Sequence, residues 1–156
     1  RLSQINQIPH QMNLKCYEWL GLAKSWENQG DDKRAIYCYL KCIEKGENPY
    51  AILDAKHRLA ILYKRHRQWK QAVEIWQSIV DSEGNLRIFP LIEMAKYYEH
   101  HEKNYDKALM YTDRAIKLLK DIGINQESGY SVYDLDSIYH RRNRLIRKRK
   151  DDSKCL

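Results

Sequence analysis

The chain has 156 residues, 43% of them hydrophobic and 11% aromatic, enough to bury a core and too apolar for a disordered polymer. No stretch approaches the ~20 apolar residues of a membrane span, and the opening "RLSQINQIPH" has no apolar core or cleavage site of a secretory signal. The chain is therefore expected to be soluble and cytoplasmic, and the net charge of +7 is local: residues 141 to 150 hold seven lysines and arginines with no acid, leaving the rest nearly neutral.

Residues 1–12 read as a linker or the end of an upstream domain, and the start at Arg1 without methionine predicts a piece of a longer protein. From Trp19 the stretch "WLGLAKSWENQGDDKRAIYCYLKCI" begins a pattern that returns from His57 and again from Ile92. An apolar residue, a small one and an aromatic recur as Leu22, Ala23, Trp26; Leu59, Ala60, Tyr63; and Met94, Ala95, Tyr98. After a polar turn come Ala35, Ala72 and Ala108, 37 and 36 residues apart. Tyr39 and Trp76 follow the first two alanines by four, and Cys42, Ile79 and Ala115 follow all three by seven. Spacings of three and four give each segment one buried helical face, and the alanines mark places where two helix backbones cross closely.

The punctuation agrees. Gly30 sits in the first turn, and Gly46, Gly84 and Gly123 each follow a second helix as C-terminal caps. Pro49 and Pro90 stand near helix starts, where the missing N–H costs nothing. The predicted repeats cover about 13–47, 48–84 and 88–123. A capping helix over 132–150 carries Leu135, Ile138, Tyr139, Leu145 and Ile146 on one stripe, and 151–156 form a tail. Ser131 and Asp134 read as its capping box.

This pattern resembles the tetratricopeptide repeat over about residues 13 to 122. The first repeat matches it best, with Trp19, Leu22, Ala23, Trp26, Gly30, Ala35, Tyr39 and Cys42 at the family's W, L, G, Y, G, A, F and A positions. It departs in its period of 36 to 37, in Arg67 at the turn glycine of repeat two, in one extra residue in "EHHEKNY", and in Thr112 at an aromatic position. The implied fold is all-α: a tetratricopeptide-like superhelical array of three antiparallel helix pairs plus a C-terminal capping helix, one domain over 13–150. Such arrays imply a non-catalytic module that binds a protein or peptide.

A narrower resemblance rests on "AKYYEHHEKNYDKAL", Ala95 to Leu109, followed by the basic "HRRNRLIRK". Together these look like the C-terminal tail of bacterial proteins that begin with an RNase H-like, exonuclease-type domain. Its catalytic carboxylates would lie upstream of Arg1, so none transfers to this chain.

No internal chemistry competes with this reading. The six glycines form no phosphate loop, there is no GxSxG elbow, and in "EHHEK" the residue four after His101 is Tyr105 rather than a second zinc-binding histidine. His100 and His101 instead suit a helix C-terminus. Cys38 and Cys42 lie one helical turn apart, but a structural zinc site wants four ligands. No cofactor or metal is expected. All four tryptophans fall on repeat positions and are expected in the core, not as base-stacking platforms.

Two binding faces emerge from the register. The first helices of tetratricopeptide pairs line a groove, and Lys24, His57, Arg58, Lys64, Arg65 and Lys96, with Glu27, Glu99 and His100, map to it. This lining suits an acidic peptide, a phosphate backbone or a neighbouring domain of the same protein, and equally a solvated face. The two-carboxylate clamp of some family members is absent, since Leu20 replaces its first lysine. The alternative face is on the last helix, where Arg141, Arg144, Arg147 and Lys148 form an outward stripe for nucleic-acid phosphates, with Arg142 and Arg149 along the seam.

Overall fold

A computed structural model describes residues 13–82, 87–122 and 134–154. Among them seven α-helices form and no strand: α1 (Cys16–Asn28), α2 (Asp32–Lys45), α3 (Pro49–Arg65), α4 (Trp69–Val80), α5 (Ile88–His100), α6 (Tyr105–Asp121) and α7 (Leu135–Lys154). The architecture is all-α and tetratricopeptide-like. The chain divides into two compact units, Arg1–Gln68 and Trp69–Leu156.

One backbone device ends the first helix of every repeat. Gly30, Arg67 and Lys103 all adopt left-handed φ values, +79°, +59° and +53°, at the same 37- and 36-residue spacing as the alanines. The next residue then donates back into the helix: Asp31 N–H to the carbonyl of Trp26, Gln68 to Tyr63, and Asn104 to Tyr98, at 3.0, 2.8 and 2.9 Å. These acceptors are the three aromatic repeat positions, so a Schellman-like closure satisfies carbonyls that the helix end would orphan. The extra residue of "EHHEKNY" lengthens the third loop by one. New helices then start on side-chain caps: Asp31 accepts from the Arg34 N–H and Asn104 from the Lys107 N–H, both at 3.0 Å, and Asn48 from Tyr50 and Ala51. Pro49 is the first residue of α3, and Gly46 caps α2 with φ +70°. Gly84, Gly123 and Ser131 lie outside the described residues. Asp134 caps α7 by accepting from the Asp136 N–H at 3.1 Å.

In the first unit α1 and α2 pack as a hairpin and α3 lies against both. Its core joins Trp19, Ala23 and Trp26 to Ala35, Tyr39 and Cys42, and to Ala55, Leu59 and Ala60. In the second unit α5 and α6 form the hairpin, α4 packs on α5 and α7 on α6. The repeated second-helix positions are sealed throughout: Ala35, Ala72 and Ala108, then Tyr39, Trp76 and Thr112, then Cys42, Ile79 and Ala115 are at most 1% exposed. Thr112 fits the aromatic's place because its hydroxyl donates to the Ala108 carbonyl at 2.8 Å, which removes the cost of burying it.

Two expectations change. Trp69 is half-buried rather than core; its ring lies 3.9 Å from that of His101 and 6.3 Å from Tyr97, because it sits at the first residue of α4, where the stripe meets the turn. The last helix runs on to Lys154, and in its final turn the Ser153 hydroxyl donates to the carbonyls of Arg149 and Lys150. Cys16, Cys38 and Cys42 are free and buried, and the sulfurs of Cys16 and Cys42 lie 2.9 Å apart.

The left-handed turn residues store strain that glycine would relieve. An L-residue pays roughly 1–2 kcal/mol there, against roughly 0.5–1 kcal/mol of extra chain entropy for glycine. Arg67→Gly is therefore expected to stabilise the protein by about 0.5–1 kcal/mol, read as a higher urea midpoint at unchanged slope. Cys38 and Cys42, whose thiols burial pushes up to about 11 and about 12, should stay unalkylated by iodoacetamide at pH 8 in the native protein and react once it unfolds.

Candidate functional site

The basic helix is the most charged element of the chain, and only Ile138 and Leu145 of its twenty residues are buried. Leu145 packs on Ala108 and Leu109 of α6, with Tyr98, Tyr105 and Ile146 around them. Two buried side chains supply roughly 3–6 kcal/mol, so charge must fix the rest of the helix.

It does so on one acid. Glu99, in the last turn of α5, is fully buried. Its Oε2 accepts from Arg141 Nη1 at 2.6 Å and Arg144 Nη2 at 2.9 Å, and its Oε1 from Arg144 Nε and Lys148 Nζ, both at 2.9 Å. Arg144 thus grips it bidentately, the geometry that suits guanidinium to carboxylate. His100 stands 3.6 Å away, and burial lowers its pKa despite the neighbouring acid. Burial alone would raise the Glu99 carboxyl, but the hydrogen bonds from Arg144 and Lys148 reverse this and hold it at about 2. Beyond the clamp, Arg142 pairs with Asp113 at 2.7 Å and Arg149 with Asp106 at 3.3 Å.

The expected outward stripe is therefore corrected. Arg141, Arg144 and Lys148 turn inward to Glu99, and only Arg147 of the four stands exposed without an ion pair among the described residues. The spacing of 141, 144 and 148 is helical, three and four; it marks the face toward α5, not the face toward water. Glu99 likewise leaves the groove face to which register assigned it.

The groove cations have partners too. In the first unit Lys24 of α1 meets Asp54 of α3 at 2.6 Å, and Arg58 reaches both Asp54 at 3.2 Å and Glu27 at 3.3 Å. Tyr39 of α2 donates its hydroxyl to the same Glu27, so one network ties all three helices. Lys24 and Arg58 hold the Asp54 carboxyl below its usual range against the opposing effect of burial. Arg65 and His66 both contact Asp32, at 3.2 and 2.7 Å; His57 and Lys64 are half-buried. In the second unit Lys96 pairs with the buried Glu93 at 2.7 Å. The acids Asp32, Asp54, Glu93 and Glu99 carry this arrangement, and register reasoning overlooked their pairing because most partners lie about 30 to 50 residues away. For Glu99 a signal existed: it follows Ala95 by four on the buried stripe of α5, a core position for an acid.

Among the described residues no group of three or more histidine, cysteine, aspartate or glutamate side chains is placed to hold a metal, and no helix is long and apolar enough to cross a membrane.

Residues 54–85 match the family model of the tetratricopeptide repeat. The match covers most of α3 and all of α4, and it supports the tetratricopeptide reading of the hairpins. The chain is also 30% identical over 102 residues, 64% of its length, to "Uncharacterized protein YprB" of Bacillus subtilis (strain 168), and spans 24% of that relative.

The clamp sets an acid limb in stability. Glu99 has a folded pKa of about 2 against an ordinary 4.5, so its contribution is complete above pH 4.5 and disappears as pH falls through about 2. At ~1.36 kcal/mol per pKa unit this amounts to about 3 kcal/mol. Glu99→Gln is expected to lose about 3 kcal/mol at neutral pH and to show a flatter stability profile between pH 4.5 and 2, measured by urea denaturation at each pH.

Proposed function

We propose that this chain is a non-catalytic, tetratricopeptide-like scaffold that holds a protein or peptide partner, in the cytoplasm, as the C-terminal appendage of an RNase H-like nuclease. The Glu99 clamp carries the non-catalytic reading. The motif Ala95–Leu109 and the basic "HRRNRLIRK" meet in it: Glu99 accepts from Arg141, Arg144 and Lys148, and Leu109 packs on Leu145. The most distinctive residues of the chain are thus engaged with one another and build a helix cap. The narrower resemblance of those motifs supports the nuclease appendage, and a relative of which the chain spans 24% fits a module within a longer protein. Tetratricopeptide repeats generally mediate contacts between proteins, which supports the scaffold role, and Cys16, Cys38 and Cys42 as free buried thiols suit a reducing compartment.

Energetics weigh against phosphate binding by the four-residue stripe. Drawing Arg144 and Lys148 onto a nucleic acid leaves a fully buried carboxylate with Arg141 as its one remaining strong partner, and breaking such an arrangement costs about 3–5 kcal/mol. Each phosphate contact contributes a slope of about −0.9 in log K against log salt. Titration of a short DNA duplex at several salt concentrations should therefore give a slope that Arg144→Ala leaves unchanged. A slope near −3.6, abolished by Arg144→Ala, would instead establish the stripe as a nucleic-acid contact. With Mg²⁺ and labelled single- or double-stranded DNA the chain alone is expected to release no nucleotide; release would overturn the non-catalytic reading.

A further inference from the structure

Most basic side chains described above are engaged by a carboxylate, but a second basic cluster is not. A cleft of about 270 Å³ opens between the end of α4, the start of α5 and the C-terminal half of α6. Val80, Leu91 and Leu118 supply its apolar wall, and Arg87, Arg114, Lys117 and Asp121 its rim. Arg114, Lys117, Leu118 and Asp121 recur at helical spacing on one face of α6. Arg87 directly precedes α5, and its side chain makes no cap hydrogen bond there.

Arg87, Arg114 and Lys117 are all exposed. Among the described residues none of them makes an ion pair; Arg114 lies over the Tyr111 ring at 5.8 Å, a contact that leaves its donors available. One acid against three cations leaves the rim with two surplus positive charges around an apolar wall. The volume lies just below the ~300–1,000 Å³ of small-molecule sites, room for one or two side chains rather than a cofactor.

We propose that this cleft docks an acidic peptide segment with an apolar anchor: the anchor rests against Val80, Leu91 and Leu118, and flanking carboxylates meet Arg87, Arg114 and Lys117. This rests on the scaffold reading and deepens it. It moves the partner site away from the first-helix cations, of which Lys24, Arg58, Arg65 and Lys96 are engaged by Glu27, Asp32, Asp54 and Glu93. The bidentate geometry available to two arginines favours carboxylates over neutral ligands, and the apolar wall favours a peptide over a bare phosphate backbone.

The probe is an eight-residue peptide of alternating Asp and Leu, titrated at millimolar concentration into the ¹⁵N-labelled chain. Amide shifts are expected to cluster at the end of α4, around Arg87 to Leu91 and along Arg114 to Asp121. Affinity should fall about tenfold or more, equal to ~1.4 kcal/mol, for the Asn/Leu peptide and for the Arg114→Glu/Lys117→Glu variant. Undisturbed amide dispersion shows that this variant folds. Equal affinity for the neutral peptide, or for the charge-reversed variant, overturns the proposal. If Lys64→Ala/Arg65→Ala abolishes binding instead, the cleft assignment falls and the scaffold reading stands. If the peptide shifts no amide while a DNA duplex does, both fall.

Discussion

Among the described residues, the helix that follows the third hairpin depends on a single carboxylate. Glu99 is fully buried, a location that water-stripped acids tolerate only when paired and hydrogen-bonded. Arg141, Arg144 and Lys148 answer that demand together, so the helix is held by three cations as well as by the buried Ile138 and Leu145. The same contacts explain a feature of composition: seven basic residues within ten positions are partly a means of carrying three past one acid. The first unit solves a smaller version of the problem, with Lys24, Asp54, Arg58, Glu27 and Tyr39 linking α1, α2 and α3.

The hairpins were legible because their determinants are local. Periods of three and four and alanines at crossings act within a few residues of one another and appear where expected, and the caps at Asp31, Asn48 and Asn104 are just as local. The turn conformation was legible only at Gly30. Arg67 and Lys103 adopt the same left-handed backbone without the residue that announces it, since closure onto the Tyr63 and Tyr98 carbonyls overrides side-chain preference. Trp69 misled for the opposite reason: it stands on the repeat pattern, but at the turn-proximal edge where the core ends.

The candidate sites were legible as residues but not as surfaces. A single amphipathic stripe can be recognised from spacing, but whether Arg141, Arg144 and Lys148 or their neighbours face water depends on an acid over forty residues upstream. The groove cations fared likewise, because register places a side chain on a helix face and says nothing about Asp54 or Asp32 arriving from elsewhere in the first unit. Unpaired charge, and not charge itself, separates Arg87, Arg114 and Lys117 from the clamped Arg141, Arg144 and Lys148, and that distinction needs three dimensions.

The separations in the clamp, 42, 45 and 49 residues, also bear on the order of folding. Turns, caps and hairpins close short loops, whereas the cap helix must close a long one before its cations find their acid. Contacts that form after the rate-limiting step govern the rate of unfolding more than that of folding. The Glu99 cluster therefore acts as a latch on the finished hairpin, setting how long the last helix stays docked and leaving the speed of assembly to the repeats.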